Sequence, residues 1–348
     1  MQASSREDGR RPRVTIRQVA ERAGVSIATV SRVVNGRSDV STETRQAVRR
    51  VLREQGYAAS ARAPGRPARP RTALVGITMP VVHPEYFASI LSGAAEALYE
   101  HGMRMVLCPT RHSRAREVTV LDQLTHGGTD GAILVLPEET SEELAALADG
   151  GFRFVIVDPL RPTPGGGVPV VSATNSSGAT QATRHLLELG HRRIAAIGGP
   201  AGWTASEERL RGYHAALAGA GATVDANLVV HSNFSIAGGR EAAGQLLSLP
   251  EPPTAIFAFN DSMAIGAMQE ARDRGMRLPG EVSVVGFDDT SGAAIVVPAL
   301  TTVRQPLAEM GRTAVSLLLR QLEQQRFEPL RVELETKLIV RDSTAPPG

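Results

Sequence analysis

Residues 14–36 read Val14-Thr-Ile-Arg-Gln-Val-Ala-Glu-Arg-Ala-Gly-Val-Ser-Ile-Ala-Thr-Val-Ser-Arg-Val-Val-Asn-Gly36, and their spacing decides the architecture of the N-terminal region. Thr15 followed three residues later by Gln18 forms a capping box. Ile16, Val19, Ala20 and Ala23 then fall on one helical face. Gly24 supplies the left-handed residue that ends this helix. Ser26 caps a second helix, predicted to run to about residue 35 with Val30, Val33 and Val34 inward. Two short helices joined by so tight a glycine turn form a helix-turn-helix. A third helix is predicted from near Ser41, carrying Val48, Val51 and Leu52 and stopping at Gly56.

Working outward, residues 1–71 hold 16 Arg against 6 acidic residues, while the remainder holds 22 basic against 30 acidic, so the overall +2 conceals a basic head on an acidic body. Such asymmetry points to a polyanion partner for the head alone. A disordered basic arm is the plainer reading of the charge, and the capped, periodic helices argue against it. At 348 residues the chain is long enough for two or three domains. The charged N-terminus has no apolar stretch behind it, and no apolar run approaches the ~18 residues of a membrane span. The single cysteine, Cys108, cannot form an intramolecular disulfide and reads as a small buried residue at a strand end. A cytoplasmic protein without membrane contact is expected.

The run from Val14 to Gly36 closely resembles the headpiece of the LacI/GalR family of repressors. In such headpieces the second helix lies in the major groove and its N-terminal side chains meet base edges. The resemblance implies that Ile27, Ala28 and Arg32 do so here. The chemistry fits: a guanidinium forks onto guanine O6 and N7, and Ile and Ala touch thymine methyls. For Arg32 the plain alternative is a solvated helix residue, for Ile27 partial burial in the headpiece core. Thr15, Ser26, Thr29, Ser31, Asn35 and Thr44 carry hydroxyl or amide groups suited to phosphate contacts, which position without specifying. Any one of them could instead cap a helix or face solvent.

The hinge departs from the family. Members usually carry a short hinge helix with a Leu that wedges into the minor groove. Here residues 57–71 read Tyr57-Ala-Ala-Ser-Ala-Arg-Ala-Pro-Gly-Arg-Pro-Ala-Arg-Pro-Arg71. Pro64 and Gly65 break a helix early, and no Leu is present. Arg62 and Arg66 could enter a narrow minor groove or follow the backbone; a Pro/Arg-rich linker is the equal alternative.

From residue 73 the pattern changes to short apolar strands alternating with helices. Strands are predicted at 73–79, 103–108, 132–136 and 154–157, and, in a second cycle starting near 170, at 193–198, 228–231, 255–259 and 283–287. This alternation means parallel, doubly wound sheets in two lobes. The expected organisation is a basic arm at 1–13, a helix-turn-helix DNA-binding domain at 14–58, a hinge at 59–72 and a ligand-binding and dimerisation domain at 73–341. Within that domain the N-lobe is expected at about 73–169 and 301–328, the C-lobe at about 170–300 and 329–341. Residues 342–348 are expected to be a flexible tail. The expected fold class is thus an all-α headpiece plus an α/β body of two doubly wound lobes with a ligand cleft between them, and these lobes resemble periplasmic sugar-binding proteins. Stretches from His185 to Pro200, Glu208 to Tyr213, Phe259 to Gly266, Val284 to Asp289 and Leu300 to Pro306 resemble signatures of the same family, so the resemblance spans about residues 14–341.

Ligands of such sheets sit at the carboxyl ends of strands. Asp158, Asn260 and Asp288 close strands there, and Arg209 lies near the start of a helix facing the cleft. Vicinal sugar hydroxyls donate to carboxylates and accept from a guanidinium. Tyr86, Phe87 and Phe234 could stack on a sugar ring, and the resemblance places Phe234 at a stacking position. Gln305, inside the last signature, completes the candidate set. Asp261 and Asp289 read equally well as helix caps. The expected partners are pseudo-palindromic operator DNA, a small effector, most simply a sugar, and a second copy of the chain. The tail lacks leucine heptads, so a dimer rather than a tetramer is expected. The resemblance implies a repressor of carbohydrate-utilisation genes, with inducer and corepressor modes both open. A transport-type sugar-binding protein would share the lobes but not the headpiece. No P-loop, nucleophile elbow or metal-spaced His/Cys set appears, so no enzyme, cofactor or metal is expected.

Overall fold

The computed structural model describes residues 16–34, 41–54, 72–82, 85–163, 168–222, 225–323 and 331–348. Residues 1–69 and 70–348 form separate compact units.

In the first unit, α1 (Ile16–Ala23), α2 (Ile27–Val34) and α3 (Thr42–Glu54) form a three-helix headpiece. Its core is Val19, Ala20, Val30, Val33, Val48 and Val51, the apolar face that the spacing predicts. Gly24 adopts φ +65° between α1 and α2, a conformation glycine tolerates without steric cost. Ser26 Oγ accepts from Thr29 N at 3.0 Å, and Ser41 Oγ from Thr44 N at 3.2 Å. Both serines therefore cap helices, satisfying N–H groups that the helix itself leaves open.

The second unit contains two six-stranded sheets. The first orders its strands β11 (Arg331–Leu334), β5 (Val170–Ala173), β4 (Phe154–Val157), β3 (Gly131–Val135), β1 (Leu74–Met79) and β2 (Arg104–Pro109). All of its pairings are parallel. The second orders β12 (Lys337–Ile339), β10 (Thr301–Arg304), β9 (Ser283–Asp288), β8 (Ala255–Ala258), β6 (Ile194–Gly198) and β7 (Val229–His231). Only the β10–β12 pair is antiparallel there. Strands β3, β4, β5, β6, β8 and β9 are buried along their whole length. Helices cover both faces of a parallel sheet, so its central strands read as unbroken apolar runs.

Helices α4 (Glu85–Glu100), α5 (Arg114–Gln123), α6 (Ser141–Asp149) and α12 (Leu307–Leu322) belong to the first lobe. The second lobe holds α7 (Asn175–Glu188), α8 (Thr204–Gly219), α9 (Ile236–Leu247), α10 (Asp261–Asp273) and the short α11 (Ser291–Ile295). The pair α4–α12 and the pair α9–α10 pack through reciprocal glycines. A Cβ on Gly93 would overlap the Ala308 carbonyl and one on Gly311 that of Ile90; Gly239 and Gly266 meet Met263 and Ile236 in the same way.

The lobe boundaries differ from the sequence expectation. β5 begins at residue 170 but pairs with β4, with Ile156 opposite Val170, so it completes the first sheet and does not start the second. β10 was expected in the first lobe and pairs with β9 in the second. β11 was expected in the second lobe and pairs with β5 in the first. The chain therefore crosses between lobes after β5, after β10 and after β11. The first and third crossings are tied together: Thr336 N donates to Thr174 Oγ1 at 3.0 Å and Thr336 Oγ1 to the Thr174 carbonyl at 3.2 Å. Residues 342–348 are not a free tail. Ser343 is fully buried, its Oγ donates to the Val284 carbonyl at 2.6 Å, and the Ala345 carbonyl accepts from Ser283 Oγ and pairs with buried His191 Nε2. A run of small polar residues looks mobile in sequence; here the Ser343 and Thr344 hydroxyls and the Ser343 and Ala345 carbonyls find partners in the second lobe.

Candidate functional site

A cleft of about 390 Å³ lies between the lobes of the second unit, within the ~300–1,000 Å³ range of small-molecule pockets. Strand ends and the loops after them build it. Leu136 follows β3, Asp158 follows β4, Phe234 follows β7, and Asp288 closes β9. These four residues have φ of +50°, +52°, +61° and +119°. Side chains rarely adopt that backbone, and where several such residues line one cavity the strain marks a functional site.

Three ionisable side chains form its polar floor. Asp158, Asp288 and Arg209 are 8%, 7% and 3% exposed. Tyr86 Oη donates to Asp158 Oδ2 at 2.5 Å. Burial pushes Asp158 above the usual carboxylate range, and burial with the Asp158 charge raises the Tyr86 phenol further. Arg209 Nε donates to Asn175 Oδ1 at 2.9 Å, and one terminal nitrogen donates to the Phe259 carbonyl. That nitrogen lies 3.9 Å from Asp288 Oδ1, and the guanidinium stacks 3.8 Å from the centroid of the Phe287 ring. Its other terminal nitrogen has no hydrogen-bond partner among the described residues and can donate into the cleft. Asp288 is pushed up to about 8 by burial, against the opposing pull of Arg209.

Tyr86, Phe87, Asp158, Arg209, Phe234, Asn260 and Asp288 all line this one cavity. Gln305 does not. It stands behind the site at the β10–α12 crossing, where its Nε2 donates to Asp288 Oδ1 at 2.7 Å. Asn260 caps α10, its Oδ1 accepting from Met263 N at 2.9 Å while its Nδ2 holds the Phe234 carbonyl at 3.1 Å. Asp261 and Asp289 serve the scaffold. Asp261 accepts from Thr290 and Thr302, and Asp289 from Arg304 and Arg341. Trp203, Leu160 and His112 also line the cleft without being singled out by the sequence. Trp203 sits 5.7 Å from the Phe234 ring, tilted 38°; its being the chain's only tryptophan was the one available signal.

Two contacts bridge the lobes at the cleft. Thr204 N donates to the Leu160 carbonyl at 2.9 Å, and Ser291 N and Oγ donate to Glu85 Oε2 at 2.9 and 2.5 Å.

On the headpiece, Ile27 is 48% exposed at the start of α2, so it is not drawn into the core. Thr29 Oγ1 and Ser26 Oγ lie 2.9 Å apart, and Ser41 Oγ donates to Thr44 Oγ1 at 2.8 Å. Ala28, Ser31 and Arg32 are on α2, but their side chains fall outside the described residues, as do Thr15, Asn35, Arg62 and Arg66 entirely. Among the described residues no helix is long and apolar enough to cross a membrane, and no group of three metal-ligating side chains occurs.

Residues 15–60 match the family of bacterial regulatory proteins of the lacI type, and residues 183–344 match the periplasmic binding protein-like domain. The chain is 34% identical over 340 residues to the HTH-type transcriptional regulator DegA of Bacillus subtilis (strain 168), covering 96% of this chain and 99% of that one. It is 36% identical over 343 residues to the HTH-type transcriptional regulator CelR of Thermobifida fusca, covering 96% and 99%. Among solved structures, a transcriptional regulator CelR–cellobiose complex superposes with a TM-score of 0.75 at 37% identity, covering 95% of this chain and all of that one. The lac repressor dimer bound to operator and an anti-inducer superposes with a TM-score of 0.71 at 29% identity, covering 96% and 100%.

Proposed function

The chain belongs to the lacI family of bacterial regulatory proteins and is a DNA-binding transcription regulator; from that premise we propose that it represses carbohydrate-utilisation genes under the control of a sugar bound between its lobes. The observation that carries the effector reading is the convergence of Asp158, Arg209 and Asp288, beside Phe234 and Trp203, in a cleft at the strand ends. Paired carboxylates and a guanidinium suit vicinal hydroxyls, and aromatic faces suit the C–H faces of a pyranose ring. CelR, similar along nearly the whole chain, has been solved with cellobiose.

In this reading a homodimer sets two headpieces on a pseudo-palindromic operator. Ile27, Ala28 and Arg32 contact bases; Thr15, Ser26, Thr29, Ser31, Asn35 and Thr44 meet the backbone; Arg62 and Arg66 follow the phosphates or the minor groove. The switch is linkage, with a coupling of about 1–3 kcal/mol between sugar and DNA. Gln305 gives that coupling a route, because it ties Asp288 to the β10–α12 crossing. The family is one of DNA-binding regulators, not enzymes; this chain acts by binding alone, in the cytoplasm, without a cofactor.

The test is operator binding by fluorescence anisotropy with and without candidate sugars. Asp288→Ala is expected to bind operator normally and lose the sugar response. A normal response in that variant removes Asp288 from the effector site, and equal affinity for every duplex at low and moderate salt removes the regulator reading.

A further inference from the structure

The two contacts that join the lobes at the cleft differ in kind. Thr204 N to the Leu160 carbonyl joins backbone to backbone. The other depends on side chains: Glu85 Oε2, at the start of α4 in the first lobe, accepts from both Ser291 N and Ser291 Oγ, at the start of α11 in the second. Glu85 and Ser291 are both exposed, so the contact belongs to the rim and neither core depends on it.

Local structure leaves Ser291 for the first lobe. Thr290 precedes α11 without a side-chain cap, because its N–H and hydroxyl both donate to Asp261 Oδ2, at 2.7 and 3.0 Å. A first turn with no cap of its own has N–H groups in want of an acceptor, and Glu85 supplies one from the other lobe. The loop leading to Ser291 has little slack. Arg304 and Arg341 grip Asp289, and Gln305 holds Asp288, three residues before Ser291. In the first lobe, Glu85 adjoins Tyr86, whose hydroxyl donates to Asp158. The contact thus ties together the segments that carry Asp158 and Asp288 to the cleft floor. These two carboxyls come from different lobes. Burial raises both, and the Asp158 charge adds to the rise at Asp288, so bringing them together opposes closure. A contact outside the floor offsets that cost.

Resting on the regulator reading above, we propose that Glu85 and Ser291 form a latch that sets the resting balance between closed and open lobes, and through it the affinity for operator before any effector arrives. The latch breaks when the lobes swing apart and re-forms when they close, so it favours the closed state alone. An exposed pair contributes little to overall stability, but a two-state balance responds in full to a contact made in one state only.

The experiment needs no sugar. Trp203 is the chain's only tryptophan, lines the cleft and precedes Thr204, whose N–H makes the other contact between the lobes; its quenching by acrylamide therefore rises as the lobes part. The full-length wild type is compared with Glu85→Ala, Glu85→Gln, Ser291→Ala and the double variant Glu85→Ala/Ser291→Ala, and thermal melts establish that each is folded. Each single alanine variant is expected to raise the quenching constant by about a third or more, and to shift operator affinity, read by fluorescence anisotropy, about threefold in one common direction. The double variant is expected to match the single ones, because both substitutions remove one contact. Glu85→Gln still accepts from Ser291 and is expected to stay nearer the wild type than Glu85→Ala. Unchanged quenching in folded Glu85→Ala overturns the proposal, and so do effects of the two alanine substitutions that simply add. Raised quenching with unaltered operator affinity also overturns it, since the lobes would then move without reaching the headpieces. Failure of the latch and failure of the regulator reading are distinguishable. Unchanged quenching beside specific operator binding sinks the latch and leaves the regulator standing, whereas a wild type that recognises no operator sinks the regulator reading whatever the quenching shows.

Discussion

Glu117, on α5, and Glu139, just before α6, are 3% and 5% exposed in the first lobe, and they make a sharp test of the electrostatics. Glu138 N donates to Glu117 Oε2 at 3.1 Å, while neither Glu139 oxygen has a hydrogen-bond partner among the described residues. Nearby basic side chains are engaged elsewhere: Arg114 pairs with Glu143 at 2.6 Å, and His112 Nδ1 lies 3.4 Å from Glu138. Burial, and then the neighbouring Glu139 charge, push Glu117 from its ordinary 4.5 up to about 8, and burial raises Glu139 as well. A carboxyl raised in this way holds its proton in the folded state after the unfolded chain has released it. Its contribution is therefore complete below pH 4.5 and is lost as pH rises towards 8. One proton costs up to ~1.4 kcal/mol per pH unit, so going from pH 6 to pH 8 should remove roughly 2 kcal/mol. Glu117→Gln keeps the shape and can still accept from Glu138 N, but it does not ionise. Urea unfolding of both proteins at pH 6, 7 and 8, followed by far-UV circular dichroism, should show a wild-type midpoint that falls with pH and a variant that lacks most of that fall. At pH 8 the variant should be the more stable protein. Parallel pH profiles for the two would refute the reasoning, because the pair would then be ionised and solvated throughout.

Other expectations follow from single features. Arg32→Ala should cost about 1–3 kcal/mol of operator affinity and relax base preference at one position in each half-site; an equal loss on scrambled DNA would make Arg32 a phosphate contact. Gly311→Ala ordinarily gains ~1 kcal/mol of helix propensity, but its Cβ would overlap the Ile90 carbonyl and lie 2.8 Å from Ala94 N. Overpacking costs ~1–3 kcal/mol, so the melting temperature should fall; a rise would show that α4 and α12 separate freely. Truncation after Asp342 should destabilise the second lobe by about 3 kcal/mol or more. It strips partners from Ser283, Val284, Thr301 and His191, and an unchanged unfolding midpoint would show the C-terminal residues to be dispensable.

What the sequence determined by itself was local. Helix caps, glycine turns and apolar periodicity are written within four or five residues, so the headpiece helices and the alternating strands of the lobes were legible. Because parallel strands present their carboxyl ends to ligands, Asp158, Asn260 and Asp288 could be picked out as strand terminators, and the cleft collects them with Arg209 and Phe234. What only tertiary structure decided was pairing between distant segments. An apolar strand of four residues does not name its neighbour, so β5, β10 and β11 could not be given to the right sheet. Gln305 reached Asp288 from behind, Trp203 joined Phe234 across two loops, and the last residues found their partners along β9. Each of these depends on hydrogen bonds or contacts between residues far apart in the chain, which no local spacing encodes.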